Sequence, residues 1–182
     1  MSKSTNKLAI QSEQWLLESF YRLLEKKSFK EISISEISKN AGLDRRTFYR
    51  HFKSTEELLE KYCQTIISEF TALLLKQGTI SKSNVTIAYF SFWGNHLDFL
   101  NLLQRDNLLF FLLKEFDQLL IITRETVMPE IKESSITKEE HYALAFHIGG
   151  FFNLLAKWLS QGAVESPEEM AAIMRTLFPT QL

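Results

Sequence analysis

The sequence predicts an all-α protein, with a small N-terminal head of three helices joined by one long helix to a larger helical body. Three observations carry that expectation. Apolar residues recur at intervals of three and four along nearly the whole chain, and no stretch keeps the two-residue alternation of a strand for long. Residues 33–52, SISEISKNAGLDRRTFYRHF, read as two short amphipathic helices around an Ala-Gly-Leu corner, the form of a helix-turn-helix. The 182 residues are 45% hydrophobic, enough to build a helical body and a small appended head.

The first helix is expected from about Asn6 to Lys27, burying Leu16, Leu17, Phe20, Leu23 and Leu24. Ser33 and Glu36 form a capping box that opens a second helix, packed through Ile34 and Ile37. Gly42, after Asn40 and Ala41, supplies a residue at ease with positive φ where that helix must stop, so that Leu43 can turn into the core. Asp44 caps the third helix, on which Phe48 and Phe52 lie one turn apart facing inward. Another capping box, Ser54 with Glu57, starts a long fourth helix with a stripe of Leu58, Tyr62, Ile66, Phe70 and Leu73 or Leu74, ending near Lys76. Gly78 and the polar run Ser81 to Asn84 mark a break. Helices follow over Val85 to Asn95, His96 to Leu103 and Asn107 to Val127, the last halted near Pro129. Thr137 and Glu140 open a long helix to about Ser160, closed by Gln161-Gly162, and Ser166-Pro167-Glu168-Glu169 opens the last one, to Phe178. The expected domains are 1–53, the head, and 54–182, the body.

The third helix carries chemistry that its packing does not require. With Phe48 and Phe52 inside, Arg45, Arg46, Tyr49 and Arg50 are left on an outer face that is cationic and rich in donors. An arginine fork pairs with guanine O6 and N7 in the major groove, a contact of about 1–3 kcal/mol of discrimination. Arg45 and Arg46 are therefore the expected base readers. Thr47, Tyr49, His51 and Lys53 are placed as phosphate contacts, which hold register without reading sequence. Ser33 and Arg50 complete the expected DNA-facing set. A surface helix that merely happens to be basic would not also need the cap, the corner and the inward aromatics in the same short segment.

The segment ISISEISKNAGLDRRTFYRHFKSTEELL resembles the N-terminal DNA-binding unit of the TetR family of one-component bacterial regulators, including Thr47-Phe48-Tyr49 and Phe52-Lys53-Ser54. The likeness covers the N-terminal part of the chain only. It implies that Tyr49 and Lys53 contact phosphates and that Arg45, Arg46 and Thr47 meet the groove. It also implies an effector pocket among the central body helices and dimerisation through the last two long ones. Two positions depart from the family pattern: Ser28 stands where a glycine is often found before the aromatic Phe29, and Thr55 where a second lysine is common after Lys53. The first leaves the exit of helix one open, and the second removes one expected phosphate contact.

A formal net charge of −1 hides a strong asymmetry. Residues 1–53 hold 11 Lys and Arg against 6 Asp and Glu, a balance of +5, whereas residues 54–182 hold 10 against 16, a balance of −6. A basic head on an acidic body fits a protein that meets phosphates at one end, with an affinity that falls steeply with salt. The single cysteine, Cys63, has no partner for an internal disulfide, which suits a reducing compartment. The polar N-terminus MSKSTNKLAIQSEQWLL does not read as a secretory signal, and no apolar run approaches the roughly 18 residues of a membrane span. The expectation is a cytoplasmic protein that does not engage membranes. Neither a phosphate-cradling glycine loop, nor a G-x-S-x-G turn, nor a metal-ligand spacing is present, so no catalytic residue, cofactor or metal is expected.

Two further features concern the body. The segment from Tyr89 to Phe116 is crowded with aromatic side chains, and Tyr89, Phe90, Trp93, Phe99, Phe110, Phe111 and Phe116, with His96 and His147, are the candidate lining of a pocket for an apolar or aromatic small molecule. The same rings read equally as a packed core. On the long helix opened by Thr137, Ala145, Gly149, Asn153, Ala156 and Ser160 fall near one face, and the last helix presents Met170, Ile173, Met174 and Leu177 on one stripe. A two-fold, four-helix interface fits both, and so does packing of both stripes within one subunit.

The expected function is that of a homodimeric transcriptional regulator, in full a helix-turn-helix DNA-binding head joined to a helical ligand-binding and dimerisation body. It would hold a palindromic operator in double-stranded DNA as a repressor and release it when a small-molecule effector prefers the other head spacing. Two alternatives stand beside it: an activator or protein-controlled regulator of the same fold, and a helical enzyme or small-molecule carrier.

Overall fold

The computed structural model describes residues 3–77, 82–116 and 137–177, and all regular structure among them is helical. The chain divides into two compact units, Met1–Cys63 and Gln64–Leu182.

The first unit holds α1 (Lys3–Leu24), a 3₁₀ turn (Phe29–Glu31), α2 (Ile34–Asn40), α3 (Arg45–His51) and the start of α4 (Thr55–Gln77). Leu16, Phe20, Leu24, Ile37, Phe48, Leu58 and Leu59 are fully buried and form its centre. Phe20 meets Phe29 edge-on at 6.1 Å, and Tyr21 stacks on Tyr62 at 5.4 Å. The buried Ser19 hydroxyl donates to the Ile37 carbonyl at 2.8 Å, fastening α1 to the last turn of α2. Helix α1 ends at Leu24, three residues before the expected exit. Ser28 then adopts φ −62° and ψ 145°, and its N–H donates to Glu31 Oε2 at 3.1 Å. A negative φ needs no glycine, which accounts for the serine at this position.

Local signals set the rest of this unit. Ser33 caps α2 with its Oγ accepting from Glu36 N–H, while Glu36 Oε2 accepts from Ser33 N–H at 3.1 Å. Glu36 also takes Lys27 Nζ at 2.6 Å, so one carboxylate joins the exit of α1 to the entry of α2. The lysine contact and the serine bonds hold its carboxyl down at about 2. Gly42 has φ +69°, and Leu43 N–H reaches back to the Ser38 carbonyl at 2.9 Å. The Ser54 hydroxyl accepts from Glu57 N–H, but the Glu57 carboxylate takes the Lys53 N–H, one residue earlier than a capping box would place it.

The second unit contains the remainder of α4, then α5 (Lys82–Gly94), α6 (Leu97–Arg105), α7 (109–116), α8 (Lys138–Ser160) and α9 (Pro167–Leu177). Helix α5 is rich in large apolar side chains, and Tyr89, Phe90, Phe92 and Trp93 are all buried, so it is the central element, with α9 packed along it and α6 beside it. It begins at Lys82, before the expected Val85, because short polar residues such as Asn84 are tolerated in a first turn. Helix α6 buries one stripe, Phe99, Leu100 and Leu103, and stops where Asn107 takes φ +57°. Helix α8 closes at Gly162 (φ +89°) and Ala163, whose N–H donates to the Trp158 carbonyl at 2.9 Å. Ser166 and Glu169 cap α9 reciprocally, at 2.8 and 3.2 Å. The expected features at Gly78, Ser81, Val127, Pro129 and Phe178, and the side chain of Glu140, lie outside the described residues.

Two stability measurements follow. No atom lies within 4 Å of a Cβ built on Gly42, so Gly42→Ala should cost only the left-handed backbone penalty, roughly 1–2 kcal/mol in a denaturant titration, with Gly42→Asn costing less. Glu36 has a folded-state pKa below its unfolded value of 4.5, so its stabilisation is present above that pH and is lost as pH falls toward about 2. The thermal midpoint of Glu36→Gln should therefore lie below wild type at neutral pH and converge with it in strong acid.

Candidate nucleic-acid interface

Helix α3 has only seven residues, and its two ends are held by bonds from outside it. At the N-terminal end Asp44 Oδ1 accepts from Thr47 N–H at 2.6 Å, and this bond holds the Asp44 carboxyl below its usual range. Phe48, fully buried, anchors the inner face, and Phe52 follows it inside with their rings 5.8 Å apart.

The opposite face is open. Arg45, Arg46, Tyr49, Arg50 and Lys53 are exposed, as is Ser33 at the start of α2, and Thr47 is half-buried. Arg45 lies over the Tyr49 ring, 5.9 Å from its centroid, and its Nη2 donates to the Tyr49 hydroxyl at 3.4 Å. The pair presents a guanidinium and a phenol side by side on a turn of helix. His51 differs from the exposed members of the expected set in its setting: its side chain is 10% exposed, and Nε2 lies 2.8 Å from Ser12 Oγ on α1.

In the second unit the expected aromatic lining separates into two groups. Tyr89, Phe90, Trp93, Phe99, Phe111 and Phe116 are buried, and His96 sits at their edge against Phe92 at 4.4 Å. Tyr89 meets Phe90 at 5.2 Å and Phe116 at 6.2 Å, and Trp93 meets Phe116 at 6.0 Å, separations of packed rings. Phe110, by contrast, is half exposed with Lys114 over its ring, which lies 4.2 Å from that of Phe111, and His147 is exposed. The Tyr89 hydroxyl donates to the Phe151 carbonyl at 3.3 Å, and burial pushes its pKa up. Trp93 Nε1 is buried, and its side-chain interaction with the Tyr89 hydroxyl works against that rise. Burial also lowers the His96 pKa, against the pull of Glu69. A cleft of about 360 Å³ lies along α5, lined by Leu73, Asn84, Ile87, Ala88, Ser91, Phe92 and Asn95. Sequence reasoning passed over this face, although Asn84, Ser91 and Asn95 at intervals of seven and four were a visible polar stripe.

The expected dimer stripes also divide. Ala145, Asn153 and Ser160 on α8 are exposed and Gly149 and Ala156 half-buried, and Tyr142 (65% exposed) and Phe146 (68%), which were not anticipated, extend that face. On α9, Ile173 and Leu177 are exposed, but Met170 and Met174 are buried at 5% and 4%. Both methionines turn inward because α9 packs on α5, which takes up that edge of the stripe. Among the described residues no helix is long and apolar enough to cross a membrane, and no group of three His, Cys, Asp or Glu is placed to hold a metal.

The comparisons with known proteins agree with this geometry. Residues 16–62 match the family model described as bacterial regulatory proteins, tetR family, and residues 83–180 match that of a transcriptional regulator C-terminal region. The HTH-type transcriptional regulator EthR of Mycolicibacterium smegmatis is 47% identical over 47 residues, which is 26% of this chain and 22% of that protein. The uncharacterized HTH-type transcriptional regulator YerO of Bacillus subtilis is 27% identical over 107 residues, 54% of this chain and 37% of that one. The chain thus spans 22% and 37% of the lengths of these two relatives. Among solved structures, Lin0861 from Listeria innocua has a TM-score of 0.73 at 16% identity, covering 93% of this chain and 92% of that one. The fatty acid degradation regulator FadR from Bacillus halodurans has 0.65 at 13%, covering 94% and 96%, and shares the fold. The family models bracket both the helix-turn-helix and most of the helical body, and the chain belongs to the TetR family of DNA-binding transcriptional regulators, which are not enzymes.

Proposed function

We propose that this regulator acts as a homodimeric repressor: α3 enters the major groove of a palindromic operator, and a small apolar molecule bound in the body releases it. The carrying observation is the outward face of α3, where Arg45, Arg46, Tyr49, Arg50 and Lys53 stand exposed on a helix whose other face is locked by Phe48. Arg45 and Arg46 read bases, Tyr49, Lys53 and Thr47 hold phosphates, and His51 is left out of the contact set. Ser33 and Arg50 flank the same surface. Support for an effector comes from the cleft of about 360 Å³ beside the aromatic cluster of α5, where Leu73, Ile87, Ala88 and Phe92 offer an apolar wall to a small molecule. Support for a dimer comes from Tyr142, Phe146, Ile173 and Leu177, large apolar side chains left exposed on α8 and α9. Release requires that the effector prefer one head spacing, by about 1–3 kcal/mol in this class of coupling. An operator overlapping the promoter distinguishes repression from activation.

Binding of the full chain to duplexes recovered from a random-sequence pool tests the interface. Arg45→Ala and Arg46→Ala should each cost about 1–3 kcal/mol and relax preference at one base pair, whereas Lys53→Ala should weaken all duplexes alike and reduce the salt slope by about 0.9. Variants that leave affinity and preference unchanged would refute this placement of α3. In sedimentation the chain should run as a dimer, and Phe146→Asp should raise the dimer dissociation constant by at least about tenfold, from the loss of one buried side chain.

A further inference from the structure

His51 stands at the last position of α3 and points into the head, toward α1. The Ser12 hydroxyl has a single hydrogen, and it goes to the Ala9 carbonyl at 2.9 Å, an atom that can only accept. In the 2.8 Å contact between Ser12 Oγ and His51 Nε2 the imidazole is therefore the donor, which fixes the neutral Nε2–H tautomer and leaves Nδ1 bare. Nδ1 faces Glu13 Oε2 on α1 at 4.0 Å, and the other oxygen of Glu13 meets Lys61 Nζ of α4 at 3.5 Å. The remaining charge acting on the ring is Arg50, its neighbour in α3.

We propose that His51 is a positioning residue for operator binding: it latches the last turn of α3 to α1 through Ser12, and so sets the angle at which Arg45 and Arg46 are presented, without touching DNA. The latch joins residues 39 apart in sequence, at the end of the helix opposite the Asp44 cap. It rests on the reading of α3 as the DNA-contacting element.

A latch and a phosphate contact leave different marks on binding. An imidazole on a phosphate adds to the salt slope, whereas one bonded inside the head does not. Burial first and Arg50 second disfavour the imidazolium, outweighing Glu13, and the His51 pKa lies below its ordinary value.

The test measures affinity of the full chain for a duplex recovered by the wild-type protein from a random pool, over a series of salt concentrations. His51→Gln keeps a donor near the Nε2 position, so it should stay within about threefold of wild type with the salt slope unchanged. Ser12→Ala should bind more weakly than wild type, again with the salt slope unchanged, since no phosphate contact is lost. A salt slope reduced by about 0.9 in His51→Gln would overturn the latch. Nitrogen-15 spectra of the DNA-free chain report the tautomer directly: Nε2–H supports the latch and Nδ1–H sinks it. That readout needs no duplex, so failure of the latch and failure of the interface reading are distinguishable.

Discussion

A seven-residue helix does not hold itself together in water, because isolated helices shorter than about 12–15 residues are marginal even with good helix formers. Everything α3 does depends on Phe48 being buried. That ring is fully enclosed, worth about 1.5–3 kcal/mol relative to an exposed one, and it supplies the tertiary packing that substitutes for length. Once Phe48 fixes which side of α3 faces inward, the helical period alone decides that Arg45, Arg46 and Tyr49 face outward. The exposed cationic surface is thus the complement of a packing decision. Asp44 closes the first turn, and the Gly42 corner delivers the chain to it at the right angle.

The second unit rests on a different balance. Helix α5 keeps only a narrow polar stripe at Asn84 and Ser91, its large side chains are enclosed by neighbours, and its rings meet edge-on at 5–6 Å. Such contacts make a dense interior. Trp93 adds a polar contact to this interior by acting on the Tyr89 hydroxyl, which itself donates to the Phe151 carbonyl. The cleft on the Asn84–Asn95 side of α5 shows that even this central helix keeps one stretch accessible.

What could be read from the sequence was what lies within four residues. The Ser33–Glu36 and Ser166–Glu169 boxes, the Asp44 cap and the Gly42 turn are contacts between near neighbours, and residue type alone points to them. The inward facing of Phe48 and Phe52 followed from spacing. Identity of a partner across the fold did not. Nothing near His51 in sequence announces Ser12, and a histidine beside arginines on a recognition helix reads most simply as one more phosphate contact. The half-exposed setting of Phe110 was not legible for a related reason, since composition counts rings without saying which way each turns. The start of α5 was misplaced because Ser and Asn were read as a break, whereas in a first turn they are at home.

Helix α9 shows why a sequence stripe cannot be assigned to one neighbour. At about 100° per residue, Met170, Ala171 and Met174 share one sector and Ile173 and Leu177 the sector beside it, so the apolar surface is wider than one packing partner can cover. Contact with α5 buries the first sector and leaves the second exposed. On α8 the division is sharper: Leu155, Trp158 and Leu159 are buried, while Tyr142, Phe146 and Asn153 lie on the far side and are exposed. A single chain gains nothing from aromatic side chains held in water, and Asn153 already spends its amide on the Gly149 carbonyl instead of improving the solubility of that face. The surplus is on both helices of the pair, which is the condition a self-complementary patch must meet: the same surface has to offer and receive.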